Sequence, residues 1–239
     1  MHKTRLRIRF TKTGDLRWIS HRDLARLWER LLRRSNLELA FSQGFHPKPK
    51  ISFPSALALG IEAFDEVVEL ELEGEFELED VRQRIDRELP IGMQLLSIEI
   101  MPVGAPKAQV VANKFRVELP NDYREATCRQ IESVLAQPQL EVVREGKSII
   151  ASTLSPHFNL YVDDGWLYFM LPFTRDGSLR PSELLDCVGL GDLLEQGAVL
   201  QRIEVVLETV ARAGTNDLSA DSGEREDASH DAAMDNQSY

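Results

Sequence analysis

Two of the three histidines in the first fifty residues, His21 and His46, together with the carboxylate of Asp23, are the set of side chains there best suited to moving a proton. The same three could be imagined around a metal ion. His21 and Asp23 are two apart at what reads as a helix start, however, so their side chains diverge, and no second His or Cys follows at i+4. Asp23 has a simpler use, because Ser20-x-x-Asp23 reads as a capping box. His21 is then an exposed first-turn residue. Acid/base work would need His46 to fold back within hydrogen-bond reach of His21. No metal site and no cofactor are expected.

A second set suits contact rather than turnover. Arg22, Arg26, Arg30 and Arg33 recur at successive helical turns, opposite a stripe formed by Leu24, Leu27, Trp28, Leu31 and Leu32. Arginines so placed repel one another unless an anion lies over them, and their guanidinium groups can grip phosphates bidentately. The segment S-Q-G-F-H-P-K-P-K, Ser42 to Lys50, follows. Gly44 permits a conformation closed to other residues, while Pro47 and Pro49 fix φ and keep their predecessors extended. The result is a stiff strap projecting Gln43, Phe45, His46, Lys48 and Lys50, an assortment suited to stacking on a base and touching its phosphates.

Glu69, Glu71 and Glu73 alternate along one strand face and Glu75, Glu77 and Glu79 follow. Paired carboxylates can hydrolyse bonds, but strand neighbours two apart that face water usually serve solubility. No Gly-rich phosphate cradle, Walker lysine, nucleophile elbow or dinucleotide fingerprint occurs, which disfavours nucleotide-dependent enzymes.

These residues sit on a chain of strongly uneven charge. Residues 1–60 hold thirteen Lys and Arg against four Asp and Glu, whereas residues 213–239 hold seven acids against one Arg, within an overall net charge of -11. Such asymmetry points to a polyanion-facing surface and an acidic tail. With 239 residues, 43% hydrophobic, the chain can bury a full core and could hold two domains. No stretch approaches the ~20 apolar residues of a membrane span, no signal peptide is read, and two separated cysteines, Cys128 and Cys187, fit a reducing compartment as small core residues. A soluble cytoplasmic protein is expected.

Strand alternation over Thr4 to Phe10, with an extension at Leu16 to Ile19, leads to the arginine helix, which ends near Asn36. Leu39 to Phe41 starts another strand. Glu66 to Glu73 reads as a strand with one wet acidic face, Glu79 to Leu89 as a helix and Leu95 to Ile100 as a strand. The order then recurs: strand Lys114 to Leu119, helix Asp122 to Ala136, strand Leu140 to Val143, a hairpin of Phe158 to Val162 with Trp166 to Phe173 about Asp163-Asp164-Gly165, helix Pro181 to Val188, strand Val199 to Thr209. Two βαββαβ runs imply an α+β protein of two tandem ferredoxin-like domains with antiparallel sheets, residues 1–103 and 112–210, followed by a disordered acidic tail, 211–239.

The stretch SHRDLARLWERLLRRSNLELAFSQGFHPKPKISFPSALALGIE resembles the signature of a bacterial family of uncharacterised radical-SAM-linked proteins, found alone or fused to B12-binding-type radical SAM enzymes. Ser20, His21, Asp23 and Leu24 match its first part, Ser42, Gln43, Gly44, Phe45, Pro47 and Pro49 its second, and Leu57, Leu59 and Gly60 its third. Arg22 and Lys48 depart from the pattern, in which an apolar residue and a His are common there. The resemblance implies association with a radical SAM enzyme. This chain lacks the three-cysteine cluster such an enzyme needs to hold iron and sulfur. Residues and resemblance together suggest a non-catalytic RNA-binding or substrate-presenting accessory protein, with RNA and a radical SAM enzyme as partners. An RNA-processing or RNA-modifying enzyme using His21, Asp23 and His46 is the alternative, and a protein-protein adaptor the third reading.

Overall fold

Leu6, Ile8 and Phe10 alternate with Arg5, Arg7 and Arg9, and in the computed structural model, which describes residues 3–174 and 177–209, they form strand β1 (Lys3–Lys12) with the three apolar side chains fully buried. A 3-10 turn over Gly14–Trp18 replaces the strand extension read there. It is stitched to a distant loop, since Thr13 N donates to Gly92 O at 2.8 Å. Gly92 has a positive φ, and a Cβ on it would lie 2.5 Å from the Thr13 carbonyl oxygen, so only glycine allows this approach. Helix α1 (His21–Arg34) begins as its capping residues dictate: Asp23 N donates to Ser20 Oγ at 3.1 Å, and Ser20 Oγ donates to the Asp23 carboxylate at 2.7 Å. Leu24, Trp28, Leu31 and Leu32 are buried, with Trp28 edge-on to Phe10 at 4.9 Å.

Strands β2 (Ile51–Ser52) and β3 (Glu62–Glu73), helix α2 (Leu78–Asp86) and β4 (Leu95–Ile100) complete the first half. Leu39 to Phe41 makes only isolated bridges, Leu39 to Leu72 and Phe41 to Pro49. The second half runs β5 (Val110–Glu118), α3 (Asn121–Leu135), β6 (Gln139–Arg144), β7 (Lys147–Ser152), β8 (Asn159–Asp163), β9 (Trp166–Pro172), α4 (Pro181–Cys187) and β10 (Gln201–Leu207). Strand β7 is absent from the sequence reading. Its signal was Glu145-Gly146, both at positive φ, the geometry of a tight hairpin turn that returns the chain onto β6. Cys128, read as a core residue, is exposed, and Cys187 is partly buried.

The strands join in the order β4-β1-β3-β10-β5-β9-β8, with β2 also on β3, and β6-β7 stands apart as a two-stranded ribbon. Each half therefore has its own order, β4-β1-β3-β2 and β10-β5-β9-β8, yet both belong to one eight-stranded sheet rather than to separate ones. Strand β3 makes the join because it is 12 residues long: its later part pairs with β2, and its start pairs in parallel with β10 through Glu62–Gln201 and Ala63–Arg202. Among the described residues every other pairing is antiparallel. The described residues form a mixed α/β protein with four α-helices and a mostly antiparallel sheet. Two large core clusters lie against it, one where Phe10 and Leu70 meet α1 and α2, the other where Phe115 and Phe169 meet α3 and α4, and a small third cluster joins Val67, Val110 and Val205 of β3, β5 and β10. None of the described helices is long and apolar enough to cross a membrane. The acidic segment 211–239 lies outside the described residues.

Candidate nucleic-acid interface

Helical periodicity alone sets Arg22, Arg26, Arg30 and Arg33 on the outer face of α1, and all four are exposed. Arg26 lies 3.5 Å from Asp23, and the neighbouring Arg34 bonds Glu88 at 2.7 Å. Among the described residues no carboxylate pairs with Arg22, Arg30 or Arg33. The Ser20 hydroxyl holds the Asp23 carboxyl below its ordinary range, with Arg26 and then Arg22 adding to the effect. Ser20 is the cap, and Asp23 supports it.

The loop from Ser42 to Lys50 closes on itself. Ser42 N donates to Lys48 O at 2.9 Å, Lys48 N donates to Ser42 Oγ at 3.0 Å, and Lys50 N donates to Ala40 O at 2.9 Å. Gly44, at φ 136°, makes the bend. Gln43, His46, Pro47 and Lys48 are exposed, and Phe45 is 103% exposed, so its ring gives nothing to the core and is open to stacking on both faces. Lys50 behaves differently. Its ammonium is 2.6 Å from Glu71, and it lines, with Arg5, Ser52 and Lys107, a cavity of about 230 Å³ at the loop's root.

His21 packs edge-on against Phe53 with ring centroids 5.4 Å apart, which ties the start of α1 to the exit of the loop. No hydrogen bond joins His21, Asp23 and His46 to one another, and among the described residues no three His, Cys, Asp or Glu side chains group as a metal site. Leu57 is buried, whereas Leu59 is exposed beside Trp18. A Cβ on Gly60 would meet the Trp18 ring at 3.1 Å, so this glycine seats the indole.

The strand arginines are not part of this surface. Arg7 lies opposite Glu69 in the β1–β3 register and bonds it through Nε at 3.1 Å and a terminal nitrogen at 2.9 Å. Arg9 pairs with Asp65, Lys3 with Glu73 at 3.1 Å, and Arg5 donates to the carbonyls of Ala105 and Pro106. The acidic face expected to be wet is in fact a set of partners: Glu69 is 2% exposed and bonds Arg7, Glu71 pairs with Lys50, and Glu73 with Lys3. The signal was present in the sequence, since one strand alternates Arg and its neighbour alternates Glu, but only the register shows that they meet.

Arg202 was missed entirely. It is buried where β3 meets β10 and bonds Glu66, Ser55 at 3.1 Å and Asn113 at 3.3 Å. Burial pushes it down to about 9, against the pull of Asp65. Nearby Lys12, 1% exposed and without an ion pair among the described residues, is pushed down to about 8 by burial and by the charge of Arg202.

Fold and surface together define an α/β protein presenting a basic helix face beside an aromatic-tipped loop. The chain belongs to the family described as uncharacterised protein conserved in bacteria, DUF2344, whose sequence pattern matches residues 5–153. No curated protein matches it. Among solved structures it is similar to an unknown protein from Galdieria sulphuraria at 11% identity, covering 86% of this chain and 100% of that one, with a TM-score of 0.27. A likeness that slight says nothing about function.

Proposed function

We propose that this protein is a non-catalytic RNA-binding or substrate-presenting accessory that works in the cytoplasm with a radical SAM enzyme on RNA or a ribosomal component. Each βαββαβ half is taken as a ferredoxin-like domain, 1–103 and 112–210. The observation that carries the reading is the row of exposed arginines on α1, of which Arg22, Arg30 and Arg33 have no carboxylate partner among the described residues, while Arg7 and Arg9 of the same basic segment are paired. Unneutralised guanidinium groups in a row suit a phosphate backbone. Phe45, fully exposed on a closed loop, suits an unpaired base. The radical SAM partner is supported by the family resemblance alone.

The competing enzyme reading has less support. The Asp23 carboxylate accepts from the Ser20 hydroxyl at the start of α1, and His21 packs on Phe53 with no hydrogen bond to His46. The test is RNA binding by the purified protein across a salt series. Changing Arg22, Arg26 and Arg30 together to Gln is expected to weaken binding to all sequences and to lower the slope of log affinity against log salt by roughly 2 to 3 units. Unchanged affinity and slope would leave the arginines as a solvated face and favour the adaptor reading. RNA turnover lost in His46→Ala would favour the enzyme.

A further inference from the structure

The second half presents a sheet face that no helix covers among the described residues. Phe115 and Val117 of β5 and Leu167 and Phe169 of β9 point into the core, so their neighbours along each strand point the other way. Register arranges those neighbours in rows. Glu118, Trp166 and Asp163 are mutually opposite on β5, β9 and β8, and Arg116, Tyr168 and Tyr161 form the next row. Tyr161 and Tyr168 stack with centroids 5.2 Å apart and planes at 11°. Trp166 is therefore flanked across both strand pairs by carboxylates, and neither Glu118 nor Asp163 makes an ion pair among the described residues. Glu204, exposed on the neighbouring β10, is also unpaired there.

This face already carries two cations of its own, Lys114, opposite Glu204 in the register, and Arg116. The Arg116 guanidinium lies 4.4 Å from the Trp166 ring centroid and 5.5 Å from that of Phe64. It is anchored by Nε donating to Gln201 Oε1 at 2.7 Å, and Gln201 in turn donates to Glu62 at 3.2 Å. Aromatic faces bordered by free carboxylates attract guanidinium and ammonium groups, and they repel phosphates. The geometry points to this face as the docking site for a lysine- and arginine-rich segment of a partner protein, its cations lying over Trp166 and the tyrosine pair and bonding Glu118 and Asp163. The site is chemically the opposite of the arginine face on α1 and does not depend on the RNA reading.

The test uses the full chain and a short fluorescent peptide of alternating arginine and glycine, read by anisotropy. The wild type is expected to bind saturably. The double variant Glu118→Gln with Asp163→Asn, both exposed positions where the change leaves packing intact, is expected to bind roughly tenfold more weakly, a loss of about 1.4 kcal/mol. Trp166→Ala should weaken binding at least as much, and the triple Gln variant of α1 should bind the peptide as the wild type does. Four results would overturn the proposal: no saturable binding; equal binding by the double variant, which would place the peptide elsewhere, such as on the acidic 213–239 segment; loss of RNA affinity in Trp166→Ala with no loss of peptide affinity; or self-association that both Trp166→Ala and the α1 triple variant abolish, which would make a second copy the occupant.

Discussion

The helix-free face of the sheet is finished differently in its two halves. Over β1 and β3, Arg7 and Glu69 are 12% and 3% exposed at the side chain and pair at 2.9 Å, Arg9 pairs with Asp65, and the segment 101–109 between β4 and β5 reaches them, with Ala108 N donating to Glu69 at 3.1 Å. Over β5, β9 and β8 the same face carries Trp166 and the stacked tyrosines, with Glu118 and Asp163 left without partners among the described residues. The first face is internally neutralised; the second is open. Among the described residues Arg22, Arg30 and Arg33, exposed on the outside of α1, carry charge that no carboxylate neutralises. A residue's type does not make it a binding group. What decides is whether the neighbouring strand puts an opposite charge beside it.

The sharpest way to break this contrast is at the joint between the halves. Arg202→Ala would leave Glu66 buried without its cation, and is expected to lower stability by about 3 to 5 kcal/mol, measured by urea unfolding. A loss under about 1 kcal/mol would mean that Glu66 is not held as described, and that the join at β3 and β10 rests on backbone pairing alone.

Lys12 should act in the opposite direction. Its folded value of about 8 lies below the ordinary 10.5, so the folded chain resists its charge. The destabilisation is present below about 8 and fades as pH rises toward 10.5, because there the unfolded chain holds the proton that the folded chain has lost. Lys12→Met is expected to raise the melting temperature at neutral pH by a few degrees and to flatten the gain in stability between these two values. A melting temperature that falls would show that the ammonium has a partner.

A paired comparison sharpens the contrast between strand and helix. Arg7→Ala strands Glu69 and should cost about 1 to 3 kcal/mol of stability, whereas Arg30→Ala should stay within about 0.5 kcal/mol of wild type. Equal effects would erase the distinction between neutralised and free arginines. The smallest stability effect is expected at Phe45→Ala. It should leave the melting temperature unchanged while lowering RNA affinity by about 1 to 3 kcal/mol, with little change in salt slope.

Much of the first half was legible because its signals are local. The spacing of Leu24, Trp28, Leu31 and Leu32 set α1, Ser20 with Asp23 set its start, and both histidines were placed on the elements where they stand. Asp163-Asp164-Gly165 likewise produced the β8–β9 hairpin, with Asp164 and Gly165 at positive φ. Helix α2 stops at Asp86, short of the Leu89 read from periodicity, and tighter turn bonds from Glu88 N to Ile85 O and Leu89 N to Asp86 O carry the chain to Pro90, which has no N–H to continue the helix.

What the chain determined by itself was therefore its periodic and capping geometry, including the outward row of arginines on α1 and the bend at Gly44, since a helical face or a turn depends on residues only a few positions apart. Tertiary structure alone decided that Arg7 and Glu69, 62 positions apart, neutralise each other, that Arg202 crosses 136 positions to Glu66, and that two strand sets merge through β3. Those outcomes depend on register between distant strands, where a slip of one residue turns every side chain to the other face, and no local pattern specifies it.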